Sequence, residues 1–253
     1  RLKTPELNPF IARFFANQTR AELEAGATKH GVPLSALIEL DETVGTEHIA
    51  ERGIFSDFQL ADGTNIKLPN GIMEIDRQRM DRPSVLHDAA LPAPAHEQVQ
   101  RPLDGLNVLD LGVIVVGGES SRLLADNGAE VVKLESRAFP DGTRQTDMAT
   151  GMAVSLAAGH RNKRSLGLNL RDPQGKAIFE QMVAKADVVL TNFKPGTMAS
   201  LGLGFDDLRR IKPDLIMVES SAFGDTGPWR TRMGYGPLVR AATGLTSKWC
   251  YPG

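Results

Sequence analysis

Residues 108–135 read VLDLGVIVVGGESSRLLADNGAEVVKLE: an apolar strand, a glycine pair, a helix and a second strand ending on an acid. The first turn of such a βαβ unit can hold a phosphate on its backbone N–H groups. A dinucleotide site needs G-x-G-x-x-G, each glycine for a separate steric reason. Gly112, Gly117 and Gly118 lack that spacing, and Glu119 would set a carboxylate beside an incoming pyrophosphate. Glu135 does stand where a ribose-binding acid would. The glycine pair also reads simply as a tight turn. Further on, HRNKRSLGLNLRDPQGK (160–176) puts Arg161, Lys163 and Arg164 before a strand and Arg171 after it. Cations at a strand end can meet phosphates, and a following helix N-terminus adds N–H donors. The alternative is a solvated basic face. At TNFKPG (191–196), Asn192 could hydrogen-bond a base or an amide, Phe193 could cover an aromatic face, and Lys194 adds a cation.

Those residues need strands and helices to converge them. LNVLDL (106–111), EVVKLE (130–135), SLGLNL (165–170), DVVLTN (187–192) and DLIMVESS (214–221) read as strands. Helices are expected over ESSRLLADNG (119–128), from Asp172-Pro173 through DPQGKAIFEQMVAKA, over TMASLG, and over FDDLRRIKP. Strands alternating with helices imply an α/β fold with a Rossmann-like parallel sheet, whose ligands sit at the carboxyl ends of the strands. A smaller α+β portion precedes it. There Phe10, Ile11, Phe14 and Phe15 have helical spacing, Thr19 and Glu22 form a capping-box pattern, and Gly31 reads as a helix stop. FSDFQL with Asp62-Gly63 predicts a hairpin. The boundaries are 1–80 for this portion, 81–101 for a proline-rich linker arm, and 102–253 for the sheet domain.

Composition narrows the function classes. A formal charge of −2 and only two Trp and two Tyr disfavour a nucleic-acid or anionic-membrane partner. No apolar run reaches the roughly 20 residues of a membrane span. One cysteine, Cys250, excludes an internal disulfide and fits a reducing, cytoplasmic setting. His30, His48, His87, His96 and His160 lack metal-ligand spacing and read as surface or capping residues. Met148, Met152, Met198 and Met217 read as core. The start at RLKTPELNPF and the end at WCYPG suggest a piece of a longer polypeptide.

Five stretches together resemble the class III CoA-transferase (CaiB/BaiF) family. They are PLDGLNVLDLG (102–112), LLADNGAEVVKLES (123–136), NKRSLGLNLRDPQGK (162–176), ADVVLTNFKPGTMASLGLGFDDLRRIKPDLI (186–216) and SSAFGDTGPWRTRMGYGP (220–237). The first 92 residues resemble the opposite end of the same family, through NPFIARFFANQTRAELEAGATKHGVPLSALIELDE and GIF…IKLPNGIMEID…RPSVLH. The order is therefore tail, arm, head, as at the junction of two fused units; circular permutation or a renumbered chain would read alike.

The resemblance implies coenzyme A as substrate and product, no metal, and acyl-CoA and carboxylic-acid partners. It further implies an interlocked homodimer, or an intramolecular pseudo-dimer in a fused pair. CoA-contacting positions carry over to Leu168, Asn169 and Arg171, with Asn169 in place of the usual Asp. They carry over also to Asn192, Phe193 and Lys194, and to Leu201 beside the adenine. Val115 stands where the family has a small or amide residue, and Ser136 where it has an Arg, with Arg137 next to it. The family's chemistry is CoA transfer through an aspartate-acyl anhydride and then an enzyme–CoA thioester. That aspartate is expected after Gly253, so no catalytic residue is assigned and this piece alone is expected to be inactive. Asp206, Asp207 and Asp225 do not match its position. The related racemases use a G-H-D stretch that aligns with Gly234-Tyr235-Gly236, which disfavours racemisation. The alternatives are a non-catalytic scaffold unit, a CoA-ester lyase on the same fold and, more distantly, an NAD-linked oxidoreductase.

Overall fold

The computed structural model describes residues 4–80, 101–145 and 153–249. The arm at 81–100, with His87 and His96, and also Met148, Met152 and Cys250, lie outside them. In chain order the elements are α1 (Thr4–Ala16), α2 (Arg20–His30), α3 (Leu40–Val44), α4 (Glu47–Glu51), β1 (Phe55–Gln59), β2 (Asn65–Pro69), β3 (Glu74–Ile75) and β4 (Gln78–Arg79). Then come β5 (Asn107–Asp110), α5 (Ile114–Asp126), β6 (Glu130–Glu135), a 3-10 turn (Gly142–Gln145), α6 (Val154–Gly159), β7 (Arg164–Gly167) and α7 (Pro173–Val183). The last are β8 (Val188–Thr191), α8 (Thr197–Ser200), α9 (Phe205–Ile211), β9 (Ile216–Glu219), α10 (Gly236–Ala242) and α11 (Leu245–Lys248). The chain divides into two units, one formed by residues 1–92 with 222–253, the other by 93–221.

In the first unit local chemistry sets the boundaries. Thr19 and Glu22 form the capping box that starts α2, and Gly31 ends it at φ +65. The β1–β2 hairpin turns through Asp62, which accepts from the Thr64 N–H, and Gly63 at φ +86. His48 is buried rather than on the surface. Its ring stacks on Trp229 at 4.6 Å and its Nδ1 accepts from the Trp229 backbone N–H at 3.2 Å. Burial, and next the charge of Arg52, push the His48 pKa down.

The second unit is a five-stranded parallel sheet of order β7-β6-β5-β8-β9. The period of two along each strand divides the core between its faces. Val108, Val131 and Val188 join Ala125 of α5. Leu109, Leu134 and Val189 instead meet Phe179 and Val183 of α7, Met198 of α8 and Leu208 of α9. Strand order reverses between β5 and β8, the crevice where doubly wound sheets place ligands.

Helix α5 starts at Ile114, not at Glu119, so Gly117 and Gly118 lie inside it rather than in a turn. They serve close approach. A Cβ on Gly117 would run into the Gly112 backbone, and one on Gly118 would stand 3.3 Å from the His160 ring. Helix α7 starts as its sequence predicts, with the Asp172 carboxylate accepting from Gln174 and Gly175 N–H and Pro173 in the first turn.

Candidate functional site

The β5–α5 turn is held by side chains from three other places in the unit. Gly112 N–H donates to Asp110 Oδ1 at 2.8 Å, and the Gly112 carbonyl accepts from Lys133 Nζ. Val113 N–H donates to Asn192 Oδ1 at 2.8 Å, while Asn192 Nδ2 returns a bond to the Val113 carbonyl at 2.9 Å. Asn192 thus ties β8 to β5 across the crevice. Ile114 N–H donates to both oxygens of Asp141, at 3.2 and 3.1 Å. Ile114 has φ +57, a conformation that a β-branched residue adopts only under constraint. Three successive N–H groups that could have gripped a pyrophosphate are therefore already engaged.

Behind the turn lies a buried polar chain. Lys163 Nζ stands 3.1 Å from Asp110 Oδ2, 2.9 Å from the Gly118 carbonyl, 2.7 Å from Ser121 Oγ and 3.0 Å from His160 Nδ1. An ammonium only donates, so Nδ1 is the acceptor and the imidazole carries its proton on Nε2. That Nε2 lies 3.4 Å from Asp141 Oδ2 without an aligned hydrogen bond, so the neutral ring meets the carboxylate through its N–H dipole. Asp141 further accepts from Thr143 N–H at 2.9 Å and Oγ1 at 2.7 Å, and pairs with Lys133 at 3.3 Å. Burial alone would raise the Asp141 pKa. The His160, Thr143 and Lys133 interactions outweigh it and hold the carboxyl well below the ordinary range. Lys163 is pushed down by burial, opposed by the charge and hydrogen bond of Asp110. Glu135 is lowered chiefly by its bond to Arg144.

The residues singled out from sequence are placed as follows. Arg171 and Leu201 line one groove of about 550 Å³, with Leu170, Asp172, Pro173, Lys176 and Ser200. The Arg171 guanidinium lies over the Phe139 ring at 4.9 Å. Asn169 stands at the start of the same β7–α7 connection, its Oδ1 accepting from the Arg171 N–H. Leu168 and Phe193 are half-buried against the core and do not line the groove. Arg137 and Lys194 are exposed beyond β6 and β8, and Val115 is exposed on the first turn of α5. Asn192 turns its amide toward Val113 rather than toward the groove.

The basic run is not a row of waiting cations. Arg161 pairs with Asp126, Arg164 with Glu130, and Lys163 is buried on Asp110. Sequence reasoning missed Asp110, Lys133, Asp141 and His160 as a group. A signal existed: Asp110 and Lys133 interrupt otherwise apolar strands, where charge is costly unless partnered.

Comparisons with known proteins agree on one assignment. The model of CoA-transferase family III matches residues 1–88 and 103–253. A probable CoA-transferase of Mycobacterium tuberculosis, Rv1866, is 44% identical over 97% of this chain and 32% of its own length. Succinyl-CoA–D-citramalate CoA-transferase of Chloroflexus aurantiacus is 39% identical over 60% of this chain and 38% of its own length. This chain thus spans only about a third of such curated relatives. Among solved structures, the hypothetical protein Rv3272 of M. tuberculosis matches with TM-score 0.56 and 38% identity, over 61% of this chain and 42% of that one. A CaiB/BaiF family protein from Brucella suis matches with TM-score 0.52 and 37% identity, over 55% of this chain and 38% of that one.

Proposed function

Because this chain belongs to CoA-transferase family III, we propose that it is the junction of two fused transferase units, and that the sheet unit carries the nucleotide end of CoA. The reaction moves CoA from an acyl-CoA thioester to a carboxylic acid. In it an aspartate outside this chain attacks the thioester carbonyl, CoA leaves as the thiolate, and an aspartyl-acyl anhydride forms. The thiolate then attacks the aspartyl carbonyl, releasing the first acid and leaving an enzyme–CoA thioester for the acceptor carboxylate. Two observations support the junction: the family model matches in two separate stretches, and the long Mycobacterium relative aligns continuously across both. On this reading residues 1–80 close the preceding unit, 81–101 connect, and 102–253 begin the next.

The observation that carries the CoA assignment is the groove at the start of α7. It sets Arg171 and Lys176 beside the apolar walls of Leu170, Pro173 and Leu201, with Asp172 and Ser200 completing the lining. The two cations suit a phosphate and the apolar wall suits an adenine face, while the first-turn N–H groups of α7 are already taken by the Asp172 carboxylate. The test is calorimetric titration of the full chain with CoA. Submillimolar binding is expected. Arg171→Ala should weaken it about 10- to 100-fold, as loss of a hydrogen bond to a charged group implies. Unchanged affinity in that variant sinks the assignment. A scaffold unit without CoA affinity is the second reading, favoured by the exposed apolar Val115 and by Ser136. Absence of binding by the unaltered chain selects it.

A further inference from the structure

We infer that the anion position at the amino end of α5 is permanently filled by the chain's own Asp141 carboxylate, which makes Asp141 a positioning residue and closes the first turn to phosphates. Helix α5 runs for thirteen residues, long enough to present a positive amino end. The donors around Asp141 are those a bound anion would recruit: Ile114 N–H, Thr143 N–H and hydroxyl, and the Lys133 ammonium. His160 adds an independent sign. Its side chain is nine-tenths buried, its Nε2 points at the same carboxylate from 3.4 Å, and it has no aligned hydrogen-bond partner of its own. Asp141 is itself fully buried.

The consequence deepens the CoA reading and rests on it. With a carboxylate already seated there, a ligand's phosphates are repelled from the first turn and directed to the Arg171–Lys176 groove. Val115 and Val116, exposed on the same turn, offer a phosphate no charge either. Asp141 also keeps Ile114 in its left-handed conformation, so the direction of these two valines depends on it.

Asp141→Ala removes a carboxylate and leaves a formate-sized space among unchanged donors. The full chain carrying it is melted in sodium formate and, as an ionic-strength control, in sodium chloride. The variant should melt below the parent. Formate should raise its midpoint by about 3 °C or more beyond chloride, rising with the logarithm of concentration as binding to the folded state alone requires. The parent should show no difference between the two salts. Asp141→Asn fills the same space without charge; it should melt lower and gain nothing from formate. An equal response to formate in parent and Asp141→Ala overturns the inference, as does a formate gain in Asp141→Asn matching that of the alanine variant. If Asp141→Ala is soluble only when refolded with formate, the inference is supported; if formate yields no soluble protein, it fails. These readouts need no CoA. A parent that fails to bind CoA while formate rescue persists sinks only the CoA assignment.

Discussion

Lys163 lies in a motif that reads as phosphate-binding, yet its side chain is 1% exposed and faces a fully buried Asp110. Lys163→Met keeps the stem volume and removes the charge. Asp110 would retain Gly112 N–H and the Ser121 hydroxyl as partners but lose its counter-ion. Breaking a buried pair from one side costs roughly 3–5 kcal/mol, because the remaining charge is uncompensated. For a chain of this size that lowers the melting midpoint by roughly 6–20 °C. Trp229, Trp249, Tyr235 and Tyr251 all fall in the other unit, so intrinsic fluorescence has no probe inside the sheet unit. Far-UV circular dichroism and hydrogen exchange at Leu109 and Leu111 are the suitable readouts. Asp110→Asn with Lys163→Met removes both charges, and a coupling energy of about 2 kcal/mol or more is expected. A cost under about 1 kcal/mol for Lys163→Met, or strict additivity in the double variant, refutes the reasoning. Retained stability with weaker CoA binding would restore Lys163 as a phosphate contact.

A Cβ at Gly175 would collide with the Asn169 carbonyl, so Gly175→Ala should cost about 1–3 kcal/mol and weaken CoA binding by shifting the β7–α7 connection, both readable by urea titration and calorimetry. Asp172→Ala removes the α7 cap and should cost about 1 kcal/mol in the same titration. His48 has a folded pKa below its unfolded value, so the unfolded chain binds the extra proton. Stability should fall as pH drops below ~6.5, followed by Trp229 emission, and His48→Gln should flatten that dependence. Asp141 and Glu135 are depressed carboxyls; the stability they confer is present above about pH 4 and should be lost as pH falls below it, seen as acid unfolding by circular dichroism.

Much of the frame is readable residue by residue. Thr19 with Glu22, Asp62 with Gly63, and Asp172 with Pro173 set their turns through bonds within a few residues, so no distant partner is needed. Consecutive apolar residues at Val108-Leu109 and Val188-Val189 likewise require a sheet covered on both faces. Five ordered motifs carry the family, because their spacing reflects the whole βα succession.

Tertiary structure alone decided what the strand-end residues do. Arg161, Lys163, Arg164 and Arg171 share one charge and one stretch of chain. Only the fold gives the first three an acidic partner while setting Arg171 over Phe139 at the groove. Asn192 reads as a ligand contact until Val113, far away in sequence, takes both ends of its amide. Asp141 stands out nowhere in the sequence, and only the fold brings the amino end of α5 to its carboxylate. Charge and hydrogen bonding act over a few ångströms of space, and which groups come that close depends on how the strands are ordered in the sheet.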